Sequence, residues 1–228
     1  MPQKPSNSPF ILCDEMESKT LAQEALKRFM DCSISAILLV IFSVPLMLIA
    51  LAVKFESKGP ALFKQDRTGR DGKVFILYKI RSIRMTEDQK PIFHQEQDVT
   101  KVGKFIRRWR IDEIPQFINV LKGEMSIVGP RPTLPYQVER YDQEQRRRLS
   151  VRPGLTGWSQ IHGDFAISWP DRIALDLWYI DNWSLWLDLK IMLLTPIALL
   201  RIRKINAEEG PPPDEISVLP ASDDKAAS

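Results

Sequence analysis

The chain has 228 residues, of which 44% are hydrophobic and 27% charged, with a formal net charge of +3; this suits one packed domain with a charged surface and polar tails. Its two cysteines, Cys13 and Cys32, argue against a disulfide framework and supply too few ligands for a cysteine metal site, so a reducing compartment is expected. His94 and His162 stand alone and read as structural or surface residues.

Residues 1–22 are polar, partly acidic and contain Pro and Ser, and read as a flexible lead. The next segment, 23–58, contains the uncharged run Ser33–Val53. At about 1.5 Å per residue that run reaches roughly the thickness of a bilayer core. No small-residue cleavage site follows it, so the segment is expected to stay in the mature protein. Pro45 lies mid-run, where it deletes a backbone donor and clashes with the preceding turn. Ser43 is placed to bond a freed carbonyl. Lys27 and Arg28 precede the run, and Lys54 and Lys58 follow it. A span normally carries its positive excess on one side. The doubled flank favours a bent, re-entrant helix that enters and leaves by the cytoplasmic face, with a single span as the alternative.

Residues 59–205 read as the catalytic domain. A hairpin is expected over 60–83, its turn carrying Gly69 and Gly72 and its second strand running through Val74-Phe-Ile-Leu-Tyr-Lys-Ile. A polar loop follows. Val102–Trp109 suits a helix with a basic face, and Ile111–Leu121 a second, with Pro115 tolerated in its first turn and Gly123 ending it. Gly129-Pro-Arg-Pro forces an extended segment. A charged helix is expected over Pro135–Leu149, then a rigid turn at Arg152-Pro-Gly. One long amphipathic helix is expected over Trp169–Leu200, with Trp178, Trp183 and Trp186 placed either at a lipid headgroup level or in the core. Residues 206–228, rich in Pro, Asp, Glu and Ser, read as a disordered tail. The expected fold class is α+β: a small, mainly helical domain with a short β-hairpin, an N-terminal membrane helix and interfacial helices.

Chemistry is most concentrated at Asp112-Glu113, beside Arg107, Arg108 and Arg110 and followed by Arg131. Adjacent carboxylates at a helix start are ordinary dipole partners. Next to arginines they are also expected to stay charged, available as a nucleophile or metal ligand at neutral pH. The same arginines suit phosphate oxygens, and a hard carboxylate ligand with phosphates suggests Mg²⁺. A basic face also suits nucleic acid, but the lipid-length run and the lack of interleaved aromatics speak against it.

In order along the chain stand Lys27-Arg28-Phe-Met-Asp31, Gly59-Pro60, Lys79-Ile-Arg81-Ser82, Val102-Gly-Lys-Phe-Ile-Arg107-Arg108, Asp112-Glu113-Ile-Pro-Gln116, Asn119-Val-Leu-Lys-Gly-Glu-Met-Ser126, Gly129-Pro-Arg131-Pro132 and Arg152-Pro-Gly-Leu-Thr-Gly-Trp158. Each piece is modest; the ordered set is specific. From Lys27 to about Leu199 the chain resembles the bacterial sugar transferases, the monotopic phosphoglycosyl transferases that initiate polysaccharide and glycoconjugate assembly. The resemblance implies a half-embedded enzyme of the bacterial inner membrane, its apolar helix broken at a Ser-Pro pair and its catalytic domain on the cytoplasmic face. It implies a UDP-sugar donor, undecaprenyl phosphate as acceptor, UMP as leaving group and Mg²⁺ as cofactor. It implies catalytic roles for Asp112 and Glu113, with Asp112 as nucleophile and metal contact. Lys79, Arg81, Arg107, Arg131 and Arg152 are the candidates for phosphate or headgroup binding, and Ser43 and Pro45 for the helix break. Two departures stand out. Val44 separates Ser43 from Pro45, and Trp109-Arg110 occupy a place where the family often has Thr-Ser, removing a capping hydroxyl. Membrane lipids are expected partners, and a homodimer stays open. A noncatalytic membrane-bound assembly factor, presenting basic surfaces to anionic lipids, is the competing reading.

Overall fold

The computed structural model describes residues 9–84, 99–163 and 166–209; side chains are described for 21–84, 99–163 and 166–200. The expectations for 85–98 and 210–228 lie outside the described residues.

Helix α1, Pro9–Glu56, starts within the stretch expected as a lead and stays helical through Pro45. The expected break is therefore not an interruption of the helix. Ser43 Oγ donates to the Val40 carbonyl at 2.7 Å, the neighbour of the Ile41 carbonyl that Pro45 leaves without a donor. Within α1 the stretch Leu21–Glu56 is long and apolar enough to cross a membrane. Ile37, Val40, Ile41, Val44, Met47 and Leu48 are exposed along it.

Both ends of the apolar stretch dock on the same domain. At the start, Lys27 Nζ donates to Asp188 Oδ2 at 2.5 Å and to the Val128 carbonyl at 3.1 Å. Arg28 donates to the Val120 and Leu121 carbonyls, where it caps the end of a helix. Buried Asp31 accepts from Ser126 Oγ and the Ile127 amide. At the other end, Val53 packs with Ile80 and Ile106, and Glu56 accepts from the backbone amides of Lys101 and Val102 at 2.6 and 2.9 Å.

Strands β1 (Leu62–Thr68) and β2 (Val74–Ile80) form the expected antiparallel hairpin. Its turn is a short 3₁₀ segment, with Asp71 and Gly72 at positive φ. Helix α2 (Lys101–Arg108) is N-capped by Thr100, whose Oγ1 accepts from the Gly103 amide. A 3₁₀ turn, Ile111–Gln116, leads into α3 (Phe117–Lys122), which ends as expected at Gly123 with φ 84°. Strands β3 (Ser126–Val128) and β4 (Gly154–Thr156) pair in parallel, a second small sheet absent from the sequence-based expectation. A Cβ on Gly154 would overlap the Gly129 backbone, so this close strand approach needs glycine.

The helix expected over Pro135–Leu149 is instead α4 (Pro135–Glu139) followed by a 3₁₀ turn at Gln145–Ser150. Asp142 and Gln145 explain the restart: the Gln145 amide donates to Asp142 Oδ1 at 2.8 Å and the Asp142 amide to Gln145 Oε1. That reciprocal pair competes with continued helix. After the short α5 (Trp158–Ile161), the helix expected over Trp169–Leu200 is divided into α6 (Trp169–Asp181) and α7 (Leu185–Glu209). Ser184 Oγ accepts from the Leu187 amide and starts α7. The backbone of α7 continues to Glu209, into the segment expected to be disordered.

The main core gathers Leu77, Val120, Met125, Val128, Tyr179 and Ile191 from both sheets, α3, α6 and α7. The tryptophans differ in their surroundings. Trp183 packs against that core and its Nε1 donates to Asp188, whereas Trp186 is 74% exposed. Trp178 stacks on Trp158.

Candidate active site

The site forms where β2 packs on the Ile111–Gln116 turn. Buried Asn119 joins these parts: its Nδ2 donates to the Ile76 carbonyl and to Glu124, and its Oδ1 accepts from the Tyr78 amide. Lys79, one residue along β2, thereby comes to face Glu113, with Nζ 3.5 Å from Oε1. Upstream, Arg110 turns the chain with φ 54°, a left-handed conformation uncommon for a non-glycine residue, and no side-chain cap bond is made there. The missing capping hydroxyl is thus replaced by a backbone kink. It leads straight into Asp112 and Glu113.

Three cations converge on the one carboxylate of Glu113. Besides Lys79, Arg110 Nη1 and Arg131 Nη2 each lie 3.4 Å from Oε1. These guanidinium groups and Lys79 hold Glu113 well below the usual carboxylate range, against the opposing effect of burial. Burial in turn pulls the Lys79 pKa down.

Asp112 behaves differently, and its expectation is corrected. Proximity to arginines predicted that its charged form would be favoured. Its side chain is instead buried, and desolvation together with the Glu113 charge raises its pKa from 3.8 to about 6, despite Lys79, Arg110 and Arg107 nearby. Its Oδ1 is a buried hard oxygen that makes no hydrogen bond among the described residues.

Arg131 is held by its main chain from two sides. Arg67 Nη1 donates to the Pro132 carbonyl at 3.0 Å, and Arg148 Nη2 to the Arg131 carbonyl at 3.3 Å. Arg148 is itself buried, bonded to Asp176 Oδ2 at 2.6 Å and to the Tyr141 hydroxyl. Ser159 Oγ satisfies the other Asp176 oxygen. A small pocket opens beside Glu113, lined by Arg67, Lys79, Gln116, Arg131 and Leu155 among others.

Of the predicted site residues, Asp112, Glu113, Lys79, Arg107 and Arg131 come together. Arg107 acts on Asp112 through its charge, and its Nε donates to Ser82 Oγ at 2.7 Å. Arg81 and Arg152 are elsewhere. Arg81, 1% exposed, donates to the carbonyls of Val53, Ser57 and Lys58 and so terminates α1. Its guanidinium is directed at the carbonyls around the end of α1, where helix carbonyls run short of donors, rather than at Glu113. Arg152 Nε donates to the Gly123 carbonyl, at the opposite end of α3 from the Asp112 turn. Ser43 and Pro45 lie in α1, in the exposed apolar stretch.

Sequence reasoning passed over Arg67, Gln116, Arg148 and Asp176. Arg148 sits in the run Arg146-Arg147-Arg148, which resembles a solvated face. Only its i−7 partner Tyr141 hinted at an inward direction.

Among the described residues no three His, Cys, Asp or Glu side chains group to hold a metal. The arrangement fits a Mg²⁺ that takes one protein oxygen from Asp112 and its remaining ligands from phosphates and water, the usual mode for this cation.

The bacterial sugar transferase family profile matches residues 22–202. The chain belongs to the bacterial sugar transferase family. This sugar transferase is 45% identical over 186 residues to an uncharacterized sugar transferase, EpsL, of Bacillus subtilis, covering 81% of this chain and 89% of that one. It is 45% identical over 181 residues to a UDP-glucose:undecaprenyl-phosphate glucose-1-phosphate transferase of Escherichia coli, covering 75% of this chain and 39% of the relative. A UDP-N-acetylgalactosamine-undecaprenyl-phosphate N-acetylgalactosaminephosphotransferase of Aeromonas hydrophila is 44% identical over 179 residues, covering 75% and 42%. The sugar transferase therefore spans less than half the length of these two larger relatives. Its family match begins within α1, so the membrane-length helix and the Asp112 site fall in one shared segment.

Proposed function

We propose that the chain transfers a sugar 1-phosphate from a UDP-sugar to undecaprenyl phosphate, releasing UMP, at the cytoplasmic face of a bacterial inner membrane. The observation that carries the reading is a buried carboxylate, Asp112, set among Lys79, Arg107 and Arg110 on a domain joined to an apolar helix. Relatives named for two different UDP-sugars support the reaction class and leave the sugar open.

The chemistry is two displacements. A carboxylate oxygen of Asp112 forms a bond to the β-phosphorus of the donor as the bond to the bridging oxygen breaks, and UMP leaves with that electron pair. An oxygen of the lipid phosphate then attacks the same phosphorus, and the aspartyl oxygen leaves, restoring the carboxylate. Lys79, Arg107, Arg110 and Arg131 stabilise charge on the phosphoryl oxygens. Bound Mg²⁺ supplies further charge neutralisation there. Burial of Asp112 excludes water, which would otherwise hydrolyse the acyl phosphate.

Purified protein incubated with undecaprenyl phosphate and a panel of UDP-sugars should release UMP with at least one donor. Chelation of divalent cations should remove that activity. Undiminished turnover after exhaustive chelation would exclude the Mg²⁺ role, and silence with every donor would exclude the reaction.

Asp112 attacks only when ionised. Because its pKa is raised, the rate should fall as pH drops through about 6 and level off above it. The profile of kcat/KM checks this. A rate that holds constant down to pH 4.5 would remove Asp112 from the nucleophile's place.

Docking of both ends of the apolar stretch on one domain supports an anchor that enters and leaves by the same face. The exposed stripe Trp186, Leu189, Leu193, Ile197 and Leu200 on α7 supports an interfacial seat for that helix. With Cys13 and Cys32 replaced by serine, single cysteines at Ser8 and within residues 85–98 should both resist an impermeant reagent in intact cells. Labelling at Ser8 alone would establish a single span.

A further inference from the structure

Glu113 is surrounded in a way that neither a general base nor a metal ligand requires. Its Oε1 lies 3.4–3.5 Å from Lys79, Arg110 and Arg131. Charge-assisted hydrogen bonds close to about 2.7–2.9 Å when geometry allows. Three cations thus share one carboxylate, Arg110 and Arg131 through hydrogen bonds at the long end of the range. Beside them lies the pocket that also takes in Arg67 and Gln116. Arg67 acts through its charge on Lys79, and Arg107 on Asp112. A base also has little to do in the proposed reaction. The attacking group in the second step is a phosphate monoester, already ionised near neutral pH because its second pKa is about 6.

We infer that Glu113 is an internal stand-in for a substrate phosphate: in the free enzyme it holds Lys79, Arg110 and Arg131 in place, and an incoming phosphate or diphosphate anion takes those cations over. The inference rests on the proposed transfer of a sugar phosphate and assigns the anion subsite of that reaction. Glu113 is then a positioning residue. Its carboxylate keeps like charges from spreading while the site is empty and competes with the ligand for the same donors. The cost of that competition falls on ground-state binding. The gain is a preorganised cation set at the moment of displacement.

The competition has a distinctive sign. Removing a competing anion raises anion affinity, and the gain depends on the cations that it held. Binding of pyrophosphate and of UDP is measured by calorimetry on the full-length protein in nanodiscs, with EDTA present so that no divalent cation takes part. Glu113→Gln should bind pyrophosphate at least tenfold more tightly than the parent while turnover falls. Glu113→Asp keeps the charge and should stay within about threefold of the parent in affinity, and Lys79→Met added to Glu113→Gln should erase the gain. Should Glu113→Gln fold poorly, millimolar pyrophosphate should raise its Tm by more than it raises the parent's.

A second binding series, with undecaprenyl phosphate in the nanodisc in place of UDP, separates the two sources of the anion. A gain for UDP alone assigns the subsite to the donor, and a gain for the lipid alone assigns it to the acceptor. Equal or weaker pyrophosphate affinity in Glu113→Gln, without selective thermal rescue, would overturn the inference even if the parent turns over a UDP-sugar. A parent that turns over none would instead overturn the reaction and leave the anion exchange standing.

Discussion

Asp112→Asn should leave a folded protein whose turnover is reduced by at least about a thousandfold, because an amide cannot form the acyl phosphate. Incubated with a UDP-sugar and no lipid, the parent should release at most one UMP per enzyme and carry a phosphosugar on the Asp112 peptide. The variant should show neither. Intact-mass measurement reads the adduct directly. UMP that appears only when both substrates are bound, with no adduct, would replace two displacements by one.

The same substitution carries a stability signature. The Asp112 pKa is raised in the folded state to about 6 from an ordinary 3.8. Ionisation therefore opposes folding at pH above about 6, and that penalty vanishes as pH falls below the unfolded value. Asp112→Asn should be more stable than the parent at pH 8, by on the order of a kcal/mol, and no more stable near pH 3.5. Urea titrations in EDTA at the two pH values test this. A catalytic side chain that destabilises its own fold is the common trade between activity and stability.

The largest loss of stability should come from Arg148→Met. Arg148 is buried, and its removal strands the Asp176 carboxylate, which is likewise buried. Breaking a buried ion pair from one side typically costs about 3–5 kcal/mol. It also frees the Arg131 carbonyl, so the Gly129-Pro-Arg-Pro segment loses one of the bonds that hold it. The variant should unfold at clearly lower urea concentration, and whatever remains folded should show a raised KM for the UDP-sugar. A double replacement, Arg148→Met with Asp176→Leu, should recover much of the stability but not the KM, since the apolar pair cannot hold that carbonyl. Recovery of both would assign the pair a purely structural role.

Local chemistry accounts for what could be read from the chain. The hairpin announces itself by β-branched and aromatic residues about a Gly-containing turn, and the end of α3 by Gly123. The Asp112-Glu113 pair stands out because carboxylates among arginines have few bland uses. Less legible were features decided by contacts distant along the chain. Arg81, two residues after Lys79, looks like a second phosphate ligand, yet β2 ends at Ile80 and Arg81 turns to the carbonyls at the end of α1. Charge proximity suggested a lowered pKa for Asp112, but burial, invisible in sequence, outweighs the arginines and raises it to about 6. The divisions between α4 and its following turn, and between α6 and α7, depend on small polar residues, Asp142 and Ser184, within otherwise helical patterns. The parallel pairing of β3 and β4 joins two segments too short to carry any periodicity.

The junction between α1 and α2 bears on how such proteins are assembled over evolutionary time. Glu56 completes the start of α2, and Arg81 completes the end of α1. Each element finishes the other, so the anchor is not a cassette that can be exchanged for any apolar helix of equal length. A graft would have to bring its own carboxylate at the exit, and also the Lys27, Arg28 and Asp31 contacts at the entry. Gene fusion should then tolerate additions outside this unit and reject cuts through it. The family match fits that rule, since it begins within α1 and takes in both junctions as one segment.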